Sequence, residues 1–145
     1  MTTAFKSVQA ALVAALEAAP ALSGVVVHKN RTRALAREEQ SAILVRLDTS
    51  RDDDGPLGVT DWVTSFEVEA VARGATGADP ADAVDPLLES LWAALRGLSL
   101  SSALEVAADP QIDWAFESGD TPLASALVRV TVRHRTEGNT LTPKD

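Results

Sequence analysis

Two long segments in which apolar and polar side chains alternate constrain this chain more than any other feature. The alternation runs through residues 61–73 and recurs in residues 124–136. Consecutive side chains of a β-strand point to opposite faces of a sheet, so each segment predicts a long, half-buried strand. In the first segment, the positions predicted to face the core are Trp62, Thr64, Phe66, Val68, Ala70 and Ala72.

Two further segments have helical spacing. Residues 3–19 repeat apolar side chains every three or four positions and end at Pro20, which cannot continue a helix. The pair Asp79-Pro80, a residue order typical of a helix start, begins the second of these segments, residues 80–96. This segment carries a wide apolar stripe that includes Trp92.

Shorter apolar runs predict the remaining strands, at residues 25–27, 42–47, 104–107 and 112–117. Residues 48–60 are rich in Asp, Ser, Gly and Pro and predict a long loop that is mobile in the free monomer. Trp114 lies in one of the less regular strands and is a candidate for an interface.

The order of elements is helix, strands, helix, strands. Segregated elements of this kind predict an α+β fold, with a mainly antiparallel or mixed sheet of four to five strands and two helices packed on one face. One domain is expected over residues 1–137, followed by a flexible tail at residues 138–145, which are polar and contain Gly138 and Pro143. The second face of the sheet is expected to be only partly covered.

Composition excludes several kinds of chemistry. The 145 residues include no cysteine, which removes disulfides and thiolate sites. A net charge of −8 argues against sequence-independent binding of nucleic acid, and no apolar run approaches the ~18 residues of a spanning helix. We therefore expect neither nucleic-acid recognition nor a membrane contact.

Catalytic patterns are weak. The two histidines, His28 and His134, have no nucleophile motif near them, and no glycine-rich phosphate loop is present. We predict no catalytic residues and no cofactor.

One metal pattern remains as an alternative. A calcium-loop template would place ligands at Ser50, Asp52, Asp54 and Asp61, with Gly55 at the turn. A serine at the first position, a short aspartate at the last and strands on both sides all count against it. The other interpretation is a solvated acidic hairpin loop.

Charge is unevenly distributed. Residues 28–46 hold five basic and two acidic side chains, a net +3, whereas residues 48–61 hold five acidic and one basic, a net −4. Adjacent zones of opposite sign suit a head-to-tail contact between copies, in which the basic zone of one subunit faces the acidic loop of the next. Solvated loops with a local charge bias are the alternative. The candidate subunit or partner interface comprises Arg31, Arg33, Arg37, Arg46, Asp52, Asp53, Asp54, Glu67, Glu69, Arg129 and Arg133.

The whole arrangement, over about residues 4–137, resembles the tail terminator proteins of long-tailed phages. The similarity is to the lambda-type minor tail protein U family and its relatives in phage-like gene transfer particles. The final strand, which ends Arg133-His134-Arg135-Thr136, is similar to the family's closing strand, with His134 in place of the usual tyrosine. The other segments that carry the resemblance are the N-terminal helix, Asn30-Arg31-Thr32-Arg33, Ala42-Ile43-Leu44-Val45, the acidic loop, the strand ending Phe66-Glu67-Val68-Glu69-Ala70-Val71-Ala72-Arg73, and Asp85-Pro86-Leu87-Leu88.

The resemblance implies a structural virion protein and not an enzyme. Such proteins form a homo-oligomeric ring, commonly a hexamer, that caps the tail tube, stops its polymerisation and offers a surface to the head-completion protein. The implied partners are other copies of the chain, the tail tube protein and the head-completion protein. The implied location is the head-proximal end of the virion tail, after synthesis in the bacterial cytoplasm. Two alternatives stay open: a tail-completion or head–tail joining protein of the same particle, and a small ligand-binding or enzymatic α+β domain.

Overall fold

A five-stranded sheet with two helices on one face forms the described part of the protein. The computed structural model describes residues 2–31, 35–36, 38–119 and 121–144. The elements are α1 (Ala4–Ala18), a 3-10 turn (Pro20–Leu22), β1 (Val27–Lys29), β2 (Ser41–Asp53), β3 (Val59–Arg73), α2 (Ala81–Arg96), β4 (Glu105–Glu117) and β5 (Leu123–Glu137). The strand order is β1-β2-β3-β5-β4, with β1 parallel to β2 and all other neighbours antiparallel. The predicted α+β fold with a mixed sheet is therefore confirmed.

The main core lies between the helices and one face of the sheet. Phe66 of β3, Leu12 of α1 and Leu91 of α2 are all fully buried there. The alternate positions that point to this face are buried from Thr64 to Ala72 of β3 and from Ala124 to Thr136 of β5, as the period of two predicts. Trp92 packs against the core while half-buried. Trp62 is also half-buried, with its indole N–H donated to the Oγ1 of Thr136 at 3.0 Å.

A second, smaller cluster covers one end of the opposite face. Leu35 packs there on Leu44 and Val71, which lie on neighbouring strands. The guanidinium of Arg73 donates to the backbone carbonyls of Glu39 and Ala36, each at 2.9 Å, and so attaches this segment to the sheet. Beyond this cluster the face carries charged and polar side chains, and we call it the open face.

The acidic loop is shorter than predicted. Strand β2 continues to Asp53, and Thr49–Asp53 pair with Asp61–Ser65 of β3 after an irregularity between Leu47 and Thr49. The prediction of a loop over residues 48–60 is therefore wrong at both ends, because residues 48–53 belong to β2 and Val59 and Thr60 to β3, which leaves residues 54–58 as the connection. Composition misled because backbone pairing with a long neighbouring strand does not require apolar side chains, and these side chains are largely exposed.

The two strands predicted at residues 104–107 and 112–117 are a single strand, β4, with a register shift between Ala108 and Ile112. Pro110 lies in this interval and has no N–H to donate to the ladder, which accounts for the local break.

The C-terminal tail follows the sheet. The N–H of Lys144 donates to the backbone carbonyl of Arg135 in β5. The N–H of Ala4, at the start of α1, donates to the carbonyl of Leu141 at 2.8 Å. The flexibility expected for residues 138–145 stays a prediction. It can be tested at these two backbone hydrogen bonds, since a flexible tail would not hold them. Across the described ranges, no helix is both long and apolar enough to cross a membrane.

Candidate assembly surfaces

Two cross-strand ion pairs lie on the open face. Arg46 of β2 donates to Glu69 of β3, and Arg129 of β5 donates to Asp113 of β4, each at 2.5 Å. Glu67 lies between them in the register, opposite both Arg46 and Arg129. The bond from Arg129 lowers the pKa of Asp113, and the same pairing raises the pKa of Arg129. The open face therefore carries matched charges that run across four strands.

A second charge cluster lies at the start of β3, next to the β2–β3 hairpin, and includes the end of β5. The carboxylate of Asp61 accepts from Arg135 at 2.6 and 3.2 Å and from Arg133 at 3.3 Å. Arg133 also lies 3.4 Å from Asp53. Asp61 is 2% exposed, and the hydrogen bond from Arg135 holds its pKa below its usual value. The charges of Arg133 and Asp53 are thus largely neutralised within one subunit.

A third cluster centres on Glu39. Its carboxylate accepts from Arg31 at 2.7 Å, lies 2.7 Å from the Nε2 of His28, and accepts the N–H of Ala36 at 2.8 Å. These contacts, with that of Arg31 the largest, lower the pKa of Glu39 to about 2. Arg33 and Arg37, which the sequence placed in the same basic zone, lie outside the described residues.

Asp52 and Asp54 are two aspartates of the candidate interface that lie outside these charge clusters. Both side chains are exposed, and neither makes an ion pair within the described ranges. Leu57 is fully exposed at the tip of the same hairpin. The hairpin tip therefore offers an acidic, partly apolar surface to a neighbour.

The residues of the calcium-loop template are not brought together. Ser50 and Asp52 lie within β2, and the carboxylate of Asp61 is bound by arginines. Ser50 contacts the Oγ1 of Thr64 at 2.9 Å instead. Within the described part of the chain, no group of three or more His, Asp or Glu side chains is placed to hold a metal ion.

His134 belongs to a closed polar cluster and not to a catalytic triad. Its Nε2 lies 2.7 Å from the Oγ1 of Thr64, which in turn contacts Ser50. The ring of Phe5 packs nearly perpendicular to the rings of both His134 and Trp62, with centroids 5.5 and 5.1 Å apart. The Nδ1 of His134 is buried with no hydrogen-bond partner among the described residues, so no carboxylate orients the ring as catalysis by a triad requires.

Several residues of these surfaces were missed by sequence reasoning. Asp61 was named only as a metal ligand, and its arginine partner Arg135 was not among the candidates; nor were Asp113 and Glu39. Their roles depend on strand register, for which a single sequence carries no direct signal. Trp114 and Phe116 on β4 have exposed aromatic rings. The only sequence feature that indicated this exposure was the irregular strand pattern around Trp114.

Compared with known proteins, the chain matches no family model and no curated sequence.

Proposed function

We propose that this chain is a structural assembly subunit that acts as a tail terminator of a phage-like particle. Copies of it form a ring, commonly a hexamer in proteins of the resembled family, on the head-proximal end of the tail tube. The ring stops polymerisation of the tube and provides the surface on which the head-completion protein docks.

The observation that carries this proposal is a sheet covered by helices on one face only. The open face bears paired charges across four strands, including Arg46–Glu69 and Arg129–Asp113. A flat polar surface of this kind suits a subunit contact that forms late in assembly, because the free subunit stays soluble while the face is exposed. The acidic hairpin tip at Asp52, Asp54 and Leu57 offers a separate surface.

The buried polar cluster supports a structural role over an enzymatic one. Its most polar member, His134, is 1% exposed and lies beneath Phe5.

Tube-length control provides the direct test. Purified chain is added to the tail tube protein from the same genome during polymerisation, and tube lengths and ends are examined by electron microscopy. We expect shorter tubes with ring-shaped density at one end. Unchanged tube lengths and bare ends would contradict the proposal, whereas binding to tail-free heads with no effect on tubes would indicate the head–tail joining alternative.

Charge reversal tests the predicted head-to-tail contact within the ring. Reversal of Arg31 and Arg33 together should block ring formation, and reversal of Asp52 and Asp54 in the same protein should restore it. Because Arg31 also pairs with Glu39 within the subunit, the melting curve of each variant is measured to show that the monomer stays folded. Reversal of Arg96, an exposed side chain at the end of α2, is the matched control.

A further inference from the structure

The exposed apolar side chains of this molecule concentrate at the two edges of its sheet. Of the six large hydrophobic residues exposed in the described ranges, four lie on or directly before the edge strands. Val26, 50% exposed, precedes β1, and Leu104, 53% exposed, precedes β4. Trp114 and Phe116, 45% and 58% exposed, lie within β4 itself. Apolar surface placed at unpaired strand edges is typical of sites where another strand pairs.

The backbone of both edges is free to pair. No strand in the described part of the chain lies beyond β1 or β4. The carbonyl of Val26 and the N–H of Asn30 bond to β2, so the N–H and C=O groups of Val27 and Lys29 point away from the sheet. On β4, Pro110 and the adjacent irregularity protect the first half of the edge, but residues 112–117 pair with β5 without interruption.

The two edges also have opposite charge. Strand β4 carries Glu105, Asp109, Asp113 and Glu117 and no basic residue. Strand β1 carries Lys29, which makes no ion pair within the described ranges, whereas the charge of Arg31 just after it is paired with Glu39. Two identical β4 edges would therefore repel each other, whereas β4 against β1 attracts.

From these three features we propose that the β4 edge of one copy pairs with the β1 edge of a second copy, so that the sheets continue from subunit to subunit. The inference rests on the proposed assembly function and names the contact within it. The uninterrupted edge at residues 112–117 is about 20 Å long and β1 about 10 Å, so β1 fits within it. Because the edges lie on opposite sides of the sheet, the contact is head-to-tail and can close into a ring.

Disulfide trapping tests this contact directly, since the chain contains no cysteine. Val26→Cys protein is mixed, in solution and on tube ends, with protein bearing one cysteine on the open-face side of β4. Asp113→Cys, Ala115→Cys and Glu117→Cys are used separately, because positions two apart on one face sample the possible registers. Ala14→Cys, at an exposed position of α1 that belongs to neither proposed contact, is the matched control.

We expect at least one β4 position to give a mixed disulfide with Val26→Cys in about tenfold higher yield than Ala14→Cys gives. Trp114→Glu should weaken self-association by about tenfold or more, since it places a charge where an aromatic side chain becomes buried. Ala14→Glu should leave self-association unchanged. Circular dichroism confirms that both variants are folded.

The outcomes separate this contact from the proposed function. Equal trapping of the β4 and Ala14 positions, or equal association of Trp114→Glu and Ala14→Glu, would overturn the edge contact. A ring that forms without β4 trapping and is blocked by reversal of Asp52 and Asp54 would assign the contact to the hairpin and leave the assembly function intact. A chain that neither self-associates nor binds tube ends would contradict both.

Discussion

Asp61 and Arg135 lie directly opposite each other on β3 and β5, and two hydrogen bonds of 2.6 and 3.2 Å join their side chains. The carboxylate is 2% exposed, and Arg133 reaches it from two residues earlier on β5. This contact joins the start of β3, next to the β2–β3 hairpin, to the end of β5.

Replacement of Asp61 should therefore be costly. We expect Asp61→Ala to lower the free energy of unfolding by about 1–3 kcal/mol, because two guanidinium groups lose a buried acceptor. Urea denaturation measures the change. Asp54→Ala, which removes an exposed acid with no ion pair in the described ranges, is the control, and a similar loss in both variants would contradict this role for Asp61.

Calcium should not stabilise the protein. A calcium site over residues 50–61 would have to release Asp61 from Arg135, and Asp52 lies in a strand instead of a loop. Thermal denaturation with added calcium or magnesium gives the measurement. A rise of several degrees with calcium alone would restore the calcium-loop interpretation.

Leu91 is the best test of the core. It is fully buried in α2 against the sheet, so Leu91→Ala should lower the free energy of unfolding by about 2–5 kcal/mol. Leu57→Ala, at the exposed hairpin tip, should change it very little. Chemical denaturation of the two variants side by side distinguishes core from surface.

Mild acid should destabilise the fold through His134. Burial lowers the pKa of this imidazole below its ordinary value of 6.5, so the unfolded chain takes up a proton at a higher pH than the folded one. The stabilising effect of the neutral ring is complete above that value and is lost as the pH falls below it. Melting curves of His134→Phe should depend less on pH below about 6.5 than those of the parent protein.

The second histidine provides the control for that experiment. His28→Asn should keep the pH dependence that arises from His134. If His134→Phe retains the dependence of the parent protein, the buried ring is not its source.

Stronger acid should act through Glu39. Its pKa is lowered from 4.5 to about 2, so its contribution to stability is present above the unfolded value and is lost as the pH falls toward about 2. Glu39→Gln should flatten the loss of stability over this interval. Glu38→Gln, a change at an exposed neighbouring position, should leave the curve as it is, and the reverse pattern would contradict the contact with Arg31.

How much of this molecule could be predicted is clearest from individual elements. The alternation in β3 and β5 predicted two long strands, because a half-buried strand must place apolar side chains on every second residue. The same rule failed for residues 49–53, whose pairing with β3 leaves polar side chains exposed. The candidate interface was predicted from charge alone, and six of its nine described members prove to be paired within the subunit, as Arg46 is with Glu69.

The sequence by itself determined the two helices with their apolar stripes, the long strands β3 and β5, and the face of β3 that meets the helices. These follow from local periodicity, which depends only on neighbouring residues. Only the tertiary structure decided that Asp61 pairs with Arg135, that Glu39 binds both Arg31 and His28, and that β1 and β4 form the two edges of the sheet. Such contacts join residues far apart in the chain, and they are set by strand order and register, where a shift of one residue turns every side chain to the other face.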